Sequence, residues 1–557
     1  MNVPKVTAPG PGILVVTFLN HSTNSTNKPT IVTTNVTYFT PIDWALSKRP
    51  YIHETSGDIL LRLDANYFKP DEMFTISASL PAGDARWIWN LVATHATFPN
   101  YILPLSFERI NASSTTVHND LKLTVLRLFD NTKFVQSRRF HKVPPPPLTN
   151  TVVPVQVDHT TQGLLVNGTR WVGHGWFMQA LPNNDWTALA EYIKRIFVPM
   201  GVNVAMPYGL GTQPLDVQTT FLDAMASIDF KIMYHTGSMK LINRGGPFNN
   251  ASLLANLKAN ITTFQHHPAI LGWYICGDCC SDTPDISLQA QVYQLIKDMD
   301  PYHVTIGAAN CGNSWMFTDT APSWLTPKQD LSANSIAQAT QPQLQLSLDV
   351  VMQENYVHSL PTHGDDGTWE GGVGGDGFYR HGVEFEALWN CPGSGPSACN
   401  RYKDPNMLLT AQWLSLITAG MKDQLVFDSD YTNSSQFIWK TQVGLFAQRV
   451  AVLEDAVSAP FGSVVHPTTT VVSLKQNIKA RSWFRPSMGA FPCLGYVVVA
   501  NTNEKKSHIF EVQVVKEGIC FVNASRMFST LGSVGIDSKG FFRDEIMAGD
   551  TNVYCIS

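Results

Sequence analysis

Between Arg170 and Tyr431 the chain alternates, over and over, between a short apolar run and a longer amphipathic one. This alternation constrains the fold more than any other feature. "RWVGHGWFM", "VNVAMPYG", "FKIMYHTG", "AILGWYICGD" and "HVTIGAANC" are strand-length and bounded by turn residues. Between them, "DWTALAEYIKRIFVPM", with Asp185 placed to cap it, "PLDVQTTFLDAMASID", "ASLLANLKANITTFQHH" and "SLQAQVYQLIKDMD" carry helical periodicity. The pattern loosens after Cys311 and resumes with "LDVVMQENYV", "GVEFEALWN", the helix "NMLLTAQWLSLITAG" and "DQLVFDSDY". Right-handed strand–helix–strand units follow from such alternation. Eight strands over a stretch near the ~250 residues typical of a (β/α)8 barrel predict that barrel. A doubly wound open sheet is the alternative; no glycine-rich phosphate loop follows the first strand, which disfavours it.

The flanks have a different grammar. Residues 1–143 carry strand-length runs such as "GILVVTFLN", "DILLRLDANYF" and "LKLTVLRLFD", and predict an N-terminal β-sandwich. Pro144 to Pro147 open a proline-rich segment, read as a linker over 144–160. The barrel is expected over 161–460. Runs such as "LGYVVVANT" and "TNVYCIS" predict a second β-sandwich over 461–557.

With 557 residues, 44% hydrophobic and 15% charged, the composition is that of a folded multidomain protein. Net charge is −5 and no Lys/Arg block stands out, so no nucleic-acid partner is expected. No apolar run reaches the ~18 residues of a membrane span, and no basic-flanked signal segment precedes "GILVVTFL". Oligomeric state is not legible. Nine Asn-X-Ser/Thr sequons, at Asn20, Asn24, Asn35, Asn111, Asn167, Asn250, Asn260, Asn433 and Asn523, favour a secreted or lumenal location. So do the 9 cysteines, all from Cys276 onward, among which Cys391 and Cys399 bracket a short loop that a disulfide would staple.

Barrel active sites lie at the C-terminal ends of the strands. Those ends carry Trp176, Tyr208, His235, Trp273, Asn310, Glu354 with Asn355 and Tyr356, Glu384 and Glu386 with Trp389, and Asp428. Aromatic faces stack on sugar rings, and carboxylates and amides bind hydroxyls. Two carboxyl groups across a pocket suffice for glycoside hydrolysis, one protonating the leaving oxygen and the other attacking or activating water. A single Trp on a strand packs more often than it binds, and a single carboxylate is as often an ion-pair partner. The coincidence of both at several ends is what points to a carbohydrate substrate.

"GLLVNGTRWVGHGWFM" and "HHPAILGWYICGD" resemble the first and fourth barrel strands of clan-A-type glycoside hydrolases, and "LGYVVVANT…TNVYCIS" resembles the sandwich that often follows. The resemblance covers roughly residues 160–557, and HP-x-ILGWY is its specific part. It implies that Asp278 stands where the family carries its proton-donating Glu, with Gly277 before it. Asp is one methylene shorter, which draws the carboxyl back by ~1.5 Å, an offset that is costly unless the pocket compensates. The resemblance puts the partner carboxylate at the end of strand seven. There Glu386 is the first choice if its face is the lumen face, Glu384 the deeper carboxylate, and Glu354 on strand six the competitor.

Trp369 lies in the glycine-rich stretch "HSLPTHGDDGTWEGGVGGDGFYRHG", which is long enough for a substrate-contacting lid. The acidic residues there match no known calcium-loop spacing. Cys276, Cys279, Cys280 and Cys311 include one C-x-x-C but no second knuckle, so neither a metal nor an organic cofactor is expected. Thiol catalysis with His235 or His174 is a weaker option. The expected function is a glycoside hydrolase. The rival is a carbohydrate-binding or structural pseudoenzyme that keeps the aromatic rim without an effective proton donor.

Overall fold

A computed structural model describes residues 11–18, 30–37, 42–276, 286–309, 348–355, 383–389, 406–419, 423–428, 437–457, 468–471 and 478–557. Short breaks interrupt the longer ranges, the longest being 238–250.

Eight parallel strands form the centre: β1 (His174–Met178), β2 (Val204–Pro207), β3 (Lys231–His235), β4 (Ile270–Cys276), β5 (Val304–Ala309), β6 (Val350–Asn355), β7 (Val383–Trp389) and β8 (Asp423–Asp428). Each pairs with the next, and β8 pairs back to β1 through Gly175↔Leu425 and Phe177↔Phe427, closing a barrel. Around it run helices α1 (Trp186–Tyr192), α2 (Leu215–Ala226), α3 (Ala251–Phe264), α4 (Ile286–Met299), α5 (Asn406–Ala419) and α6 (Phe437–Val457). The Asp185 carboxylate accepts the Ala188 N–H at 2.9 Å and so caps α1, satisfying a donor that the first turn leaves without a partner. Past Tyr192 the helix loosens into a π turn and then a 3₁₀ turn, and it stops at Gly201, whose φ of +85° is the left-handed value glycine adopts without strain.

Strand alternation sorts side chains into two layers. Phe177, Met206, Met233, Tyr274, Val304, Ile306, Ala308, Val350 and Met352 form the lumen core. Trp176, Met178, Ala205, Ile232, Tyr234, Trp273 and Ile275 face the helices and join Leu189, Phe221, Leu222, Ile261 and Val292 in a second core. Burying one such side chain contributes ~1.5–3 kcal/mol. The lumen leaves little room near Gly175 and Gly272, where an added Cβ would lie 1.8 Å from the Val204 carbonyl oxygen and 2.6 Å from that of Val304.

The N-terminal region packs a four-stranded sheet (Met73–Ser79, Arg86–Val92, Val117–Arg127, Thr132–Lys142) on a three-stranded one (Ile42–Leu46, Ser56–Leu63, Asn100–Ser106) around a shared apolar core. Within the stretch read as a linker, Val155–Asp158 is instead a fully buried strand. It pairs with Lys48–Arg49 on one side and Gly163–Val166 on the other. Val155, Val157, Leu164 and Val166 join the lumen core, so this small sheet plugs the N-terminal end of the barrel. Plugging that end removes apolar surface from water, which is why the segment after the prolines does not run free.

At the other end of the chain, Ile478–Phe484, Gly495–Asn501, Thr551–Ile556, Asn523–Met527 and Ser533–Gly535 form a five-stranded sheet. One face of it packs on Thr468–Val471, His508–Val515 and Phe541–Ile546 as a sandwich. The other face packs on α5 and α6 through Trp413, Leu416, Phe446 and Val450. A disulfide joins Cys493 to Cys555. Among the described residues no helix is long and apolar enough to cross a membrane.

Candidate functional site

The C-terminal ends of β1 to β4 bring four rings together. Phe177 sits 6.4 Å from Tyr208 and 6.0 Å from Tyr274, centroid to centroid. His235 lies 4.4 Å from Tyr208 and is stacked on Tyr274 at 5.9 Å. Phe177, His235 and Tyr274 are buried, whereas Tyr208 is 39% exposed and presents the cluster to solvent.

Local backbone chemistry fixes this arrangement. Tyr208 follows β2, and its N–H donates to the Met178 carbonyl at 2.7 Å, tying β2 to the end of β1. Gly209, at φ +85°, reverses the chain and turns its N–H toward His235 Nδ1 at 3.3 Å. That contact makes Nδ1 the acceptor and leaves the proton of neutral His235 on Nε2. Asn260 of α3 donates to the Gly211 carbonyl at 2.8 Å and holds the turn from behind. Gly211 has no space for a side chain, since a Cβ there would lie 2.4 Å from the His235 carbonyl oxygen. The Thr236 N–H and hydroxyl both donate to the Tyr274 carbonyl, at 3.1 and 3.0 Å, and lock the end of β3 to β4.

Two aromatic residues expected at the rim lie elsewhere. Trp176 is 3% exposed and stacks on Phe197 at 5.9 Å, in the shell between barrel and helices. Trp273 is fully buried in the same shell, edge-on to Tyr234 at 5.2 Å, with its indole N–H donating to Asp300 at 2.7 Å. Neither presents a face to solvent in this structure. The reason is parity: the lumen faces belong to Phe177 and Tyr274, one residue further along. His174, considered as a thiol partner, is buried at the opposite end of β1 and packs edge-on against Phe446 at 5.4 Å.

The carboxylate positions follow from backbone register. In β6, residue 354 shares a face with Val350 and Met352 of the lumen core. The β6–β7 register pairs Val350 with Val383, Met352 with Phe385 and Glu354 with Ala387. Positions 383, 385, 387 and 389 therefore continue the lumen face, Trp389 among them. Glu384 and Glu386, in register with Val351 and Gln353, fall on the alternate face. By backbone register alone, the pair Glu384 and Glu386 alternates with the positions that continue Val350 and Met352. Asp428 pairs with Met178 and shares the helix-facing side, as does position 355 by alternation from Glu354. Asp278, Asn310, Tyr356 and Trp369 lie outside the described residues, as do Cys279, Cys280, Cys311, Cys391 and Cys399.

Phe177 and Tyr274 were passed over in the sequence. The usable signal was the spacing in "LGWY": Gly272 and Tyr274 share a face, and a glycine opposite a carbonyl marks the crowded lumen side.

The strongest electrostatics lie at the other end of the barrel. Asp349, just before β6, pairs with Lys297 Nζ at 2.6 Å and Arg49 Nη2 at 3.4 Å. It also accepts from the Tyr293 hydroxyl at 3.1 Å and the Thr305 N–H at 2.9 Å. Burial alone would raise its pKa, but the two cations and these donors outweigh it and hold the carboxyl well below its usual range. Asp300 behaves alike: burial opposes ionisation, and His303, Trp273 and Lys297 overcome it. A small, open pocket lies at this seam, lined by Arg49, Pro50, His141, Val143, Lys297, Pro301 and Asp349. Its charged groups are matched to one another, which makes it a structural joint.

No protein-family model and no curated protein matches this chain. Among solved structures, a β-glucuronidase from Parabacteroides merdae aligns at 11% identity over 94% of this chain and 75% of its own, with a TM-score of 0.31. An α-amylase from Anoxybacillus aligns at 8% identity over 69% of this chain and 98% of its own, with a TM-score of 0.41. An endo-1,4-β-mannanase from Eisenia fetida aligns at 12% identity over 52% of this chain and 95% of its own, with a TM-score of 0.32. Scores of this size leave the fold to be argued from the strand pairing itself.

Proposed function

We propose that the protein is a glycoside hydrolase working at the C-terminal end of its barrel. The supporting observation is one of coincidence. Phe177, Tyr208, His235 and Tyr274 cluster on the ends of four consecutive strands, and the lumen-face position of Glu354 lies at the same end of β6. An aromatic surface and a carboxylate-bearing strand at one end of the barrel suit a sugar ring, whose axial hydrogens favour π faces and whose hydroxyls favour carboxylates.

In this reading Asp278, two residues beyond the end of β4 at Cys276, protonates the glycosidic oxygen. Glu354 replaces Glu386 as the attacking or water-activating carboxylate. Tyr208, packed on the His235 ring, stacks on the sugar. The test is hydrolysis of a panel of aryl glycosides and polysaccharides by the full chain and by Asp278→Asn, Glu354→Gln and Glu386→Gln. The reading expects the first two to lose turnover and the third to keep it. Turnover untouched by Glu354→Gln would sink the assignment, and saccharide binding without any turnover would favour a binding protein.

A further inference from the structure

Three sequons have an asparagine whose side chain is described, and the fold treats each differently. Asn260 is buried on α3, with Nδ2 donating to the Gly211 carbonyl at 2.8 Å. Asn523 is half-buried in a strand, paired to Gly535, with Nδ2 donating to Ser525 Oγ at 3.3 Å. Asn167 is exposed, at the tip of the hairpin joining Gly163–Val166 to Thr169–Trp171. Asn167 and Gly168 have φ of +51° and +74°, the two left-handed residues of a tight two-residue turn, and Val166 pairs with Thr169 across it.

We propose that Asn167 is an N-glycosylation site. Its backbone N–H is held by the Pro154 carbonyl at 2.8 Å, so the hairpin does not depend on its side chain. Gly168 and Thr169 are exposed too, and a Cβ built on Gly168 meets nothing within 4 Å. The tip therefore has open space for a bulky, hydrated modification. In the transfer, Asn167 Nδ2 attacks C1 of an oligosaccharide carried on a polyprenyl diphosphate. The N–C1 bond forms, the C1–O bond to the diphosphate breaks, and the amide proton goes to the transferase base. Transfer precedes folding, so the fold acts as a filter: a glycan on Asn260 would hold α3 off the turn that carries Gly211, while one on Asn167 costs no packing.

The hairpin belongs to the sheet that plugs the N-terminal end of the barrel, opposite the ring cluster. A glycan there is compatible with an open rim. The site requires passage through an oxidising secretory lumen, which the Cys493–Cys555 disulfide also suits.

The test is secretion of the full chain, behind a cleavable leader, from a eukaryotic host. Glycan release by an amidase in heavy-oxygen water, followed by peptide mass mapping, marks each occupied Asn as heavy Asp. Asn167 is expected to carry the label and Asn260 to lack it. Asn167→Gln and Thr169→Ala should each remove one glycan from the intact mass, with unchanged secretion and turnover, and Asn260→Gln should remove none. Recovery of unlabelled Asn167 from the secreted protein overturns the proposal. So does label that survives Thr169→Ala, because that is hydrolysis of the Asn-Gly amide without a sugar.

Discussion

The two ends of the barrel are built from different chemistry. At the N-terminal end, Arg49, Lys297, Asp349, Asp300 and His303 are buried and bonded to one another. At the C-terminal end four rings cluster on consecutive strands, and Tyr208 reaches solvent. Strongly displaced pKa values often mark active sites. Those of Asp349 and Asp300 mark the joint where Lys48–Arg49 of the N-terminal region meets the barrel, because the ions that displace them are their own bonded partners. Satisfied charge builds the scaffold. The candidate chemistry sits where the strands end in aromatic faces.

The sharpest way to break this contrast is Asp349→Asn. It removes the carboxylate between two buried cations while keeping the side chain's shape. Leaving such charges uncompensated costs about 3–5 kcal/mol, to be read from urea denaturation. Turnover per folded molecule should be unchanged. An intact midpoint with lost hydrolysis would mean that the joint, not the rim, carries the function. Glu354→Gln tests the other end. Removing a positioned acid or base lowers kcat by ~10²–10⁴-fold. Its melting temperature should stay within a degree or two of the parent, since no ion pair is removed from the joint.

A titration sharpens the comparison further. His174, at the N-terminal end of β1, has its pKa pushed down from 6.5 to about 3 by burial. Between those values the unfolded chain binds a proton that the folded chain does not. Stability therefore falls as pH drops below 6.5, by ~1.4 kcal/mol per pH unit for this group, until about pH 3. His159, buried beside Arg49 and Arg138 and also lowered to about 3, adds a second such slope. His174→Gln should flatten the decline in melting temperature between pH 6 and 4 relative to the parent, as followed by circular dichroism. An unchanged slope would mean that His174 is already solvated in the folded state.

The alternation of strand and helix was legible because each element has its own period and its own caps, as Asp185 illustrates. Which residues face the lumen was not. β1 and β4 are buried along their whole length, so both parities are apolar, and nothing local separates Trp176 from Phe177 or Trp273 from Tyr274. The largest aromatic residue drew the assignment, yet large rings fill the wide shell under the helices, while the narrow lumen takes Phe, Tyr and glycine. On β7, two Glu at alternate positions share one face, and the sequence alone does not say which; only the backbone pairing of Glu354 with Ala387 gives the register. The segment after Pro147 read as linker because its prolines are local, whereas its strand exists only through contacts with Lys48–Arg49 and the lumen core.

The smallest expected effect tests the ring cluster itself. Tyr208 presents an exposed face, and its ring contact with His235 is the closest of the four. Stacking of this kind contributes ~0.5–1.5 kcal/mol, so Tyr208→Ala should raise KM by up to about tenfold with little change in kcat. Tyr208→Phe keeps the π face and should restore KM, which separates stacking from any role of the hydroxyl. Because the loop is held by the Tyr208 N–H on the Met178 carbonyl and the Gly209 N–H on His235 Nδ1, neither substitution should disturb the turn or the tautomer of His235. A drop in kcat for Tyr208→Ala, with KM unmoved, would show that the ring orders the reacting groups instead of binding the sugar. The cluster would then belong to the catalytic apparatus and no longer to the platform beside it.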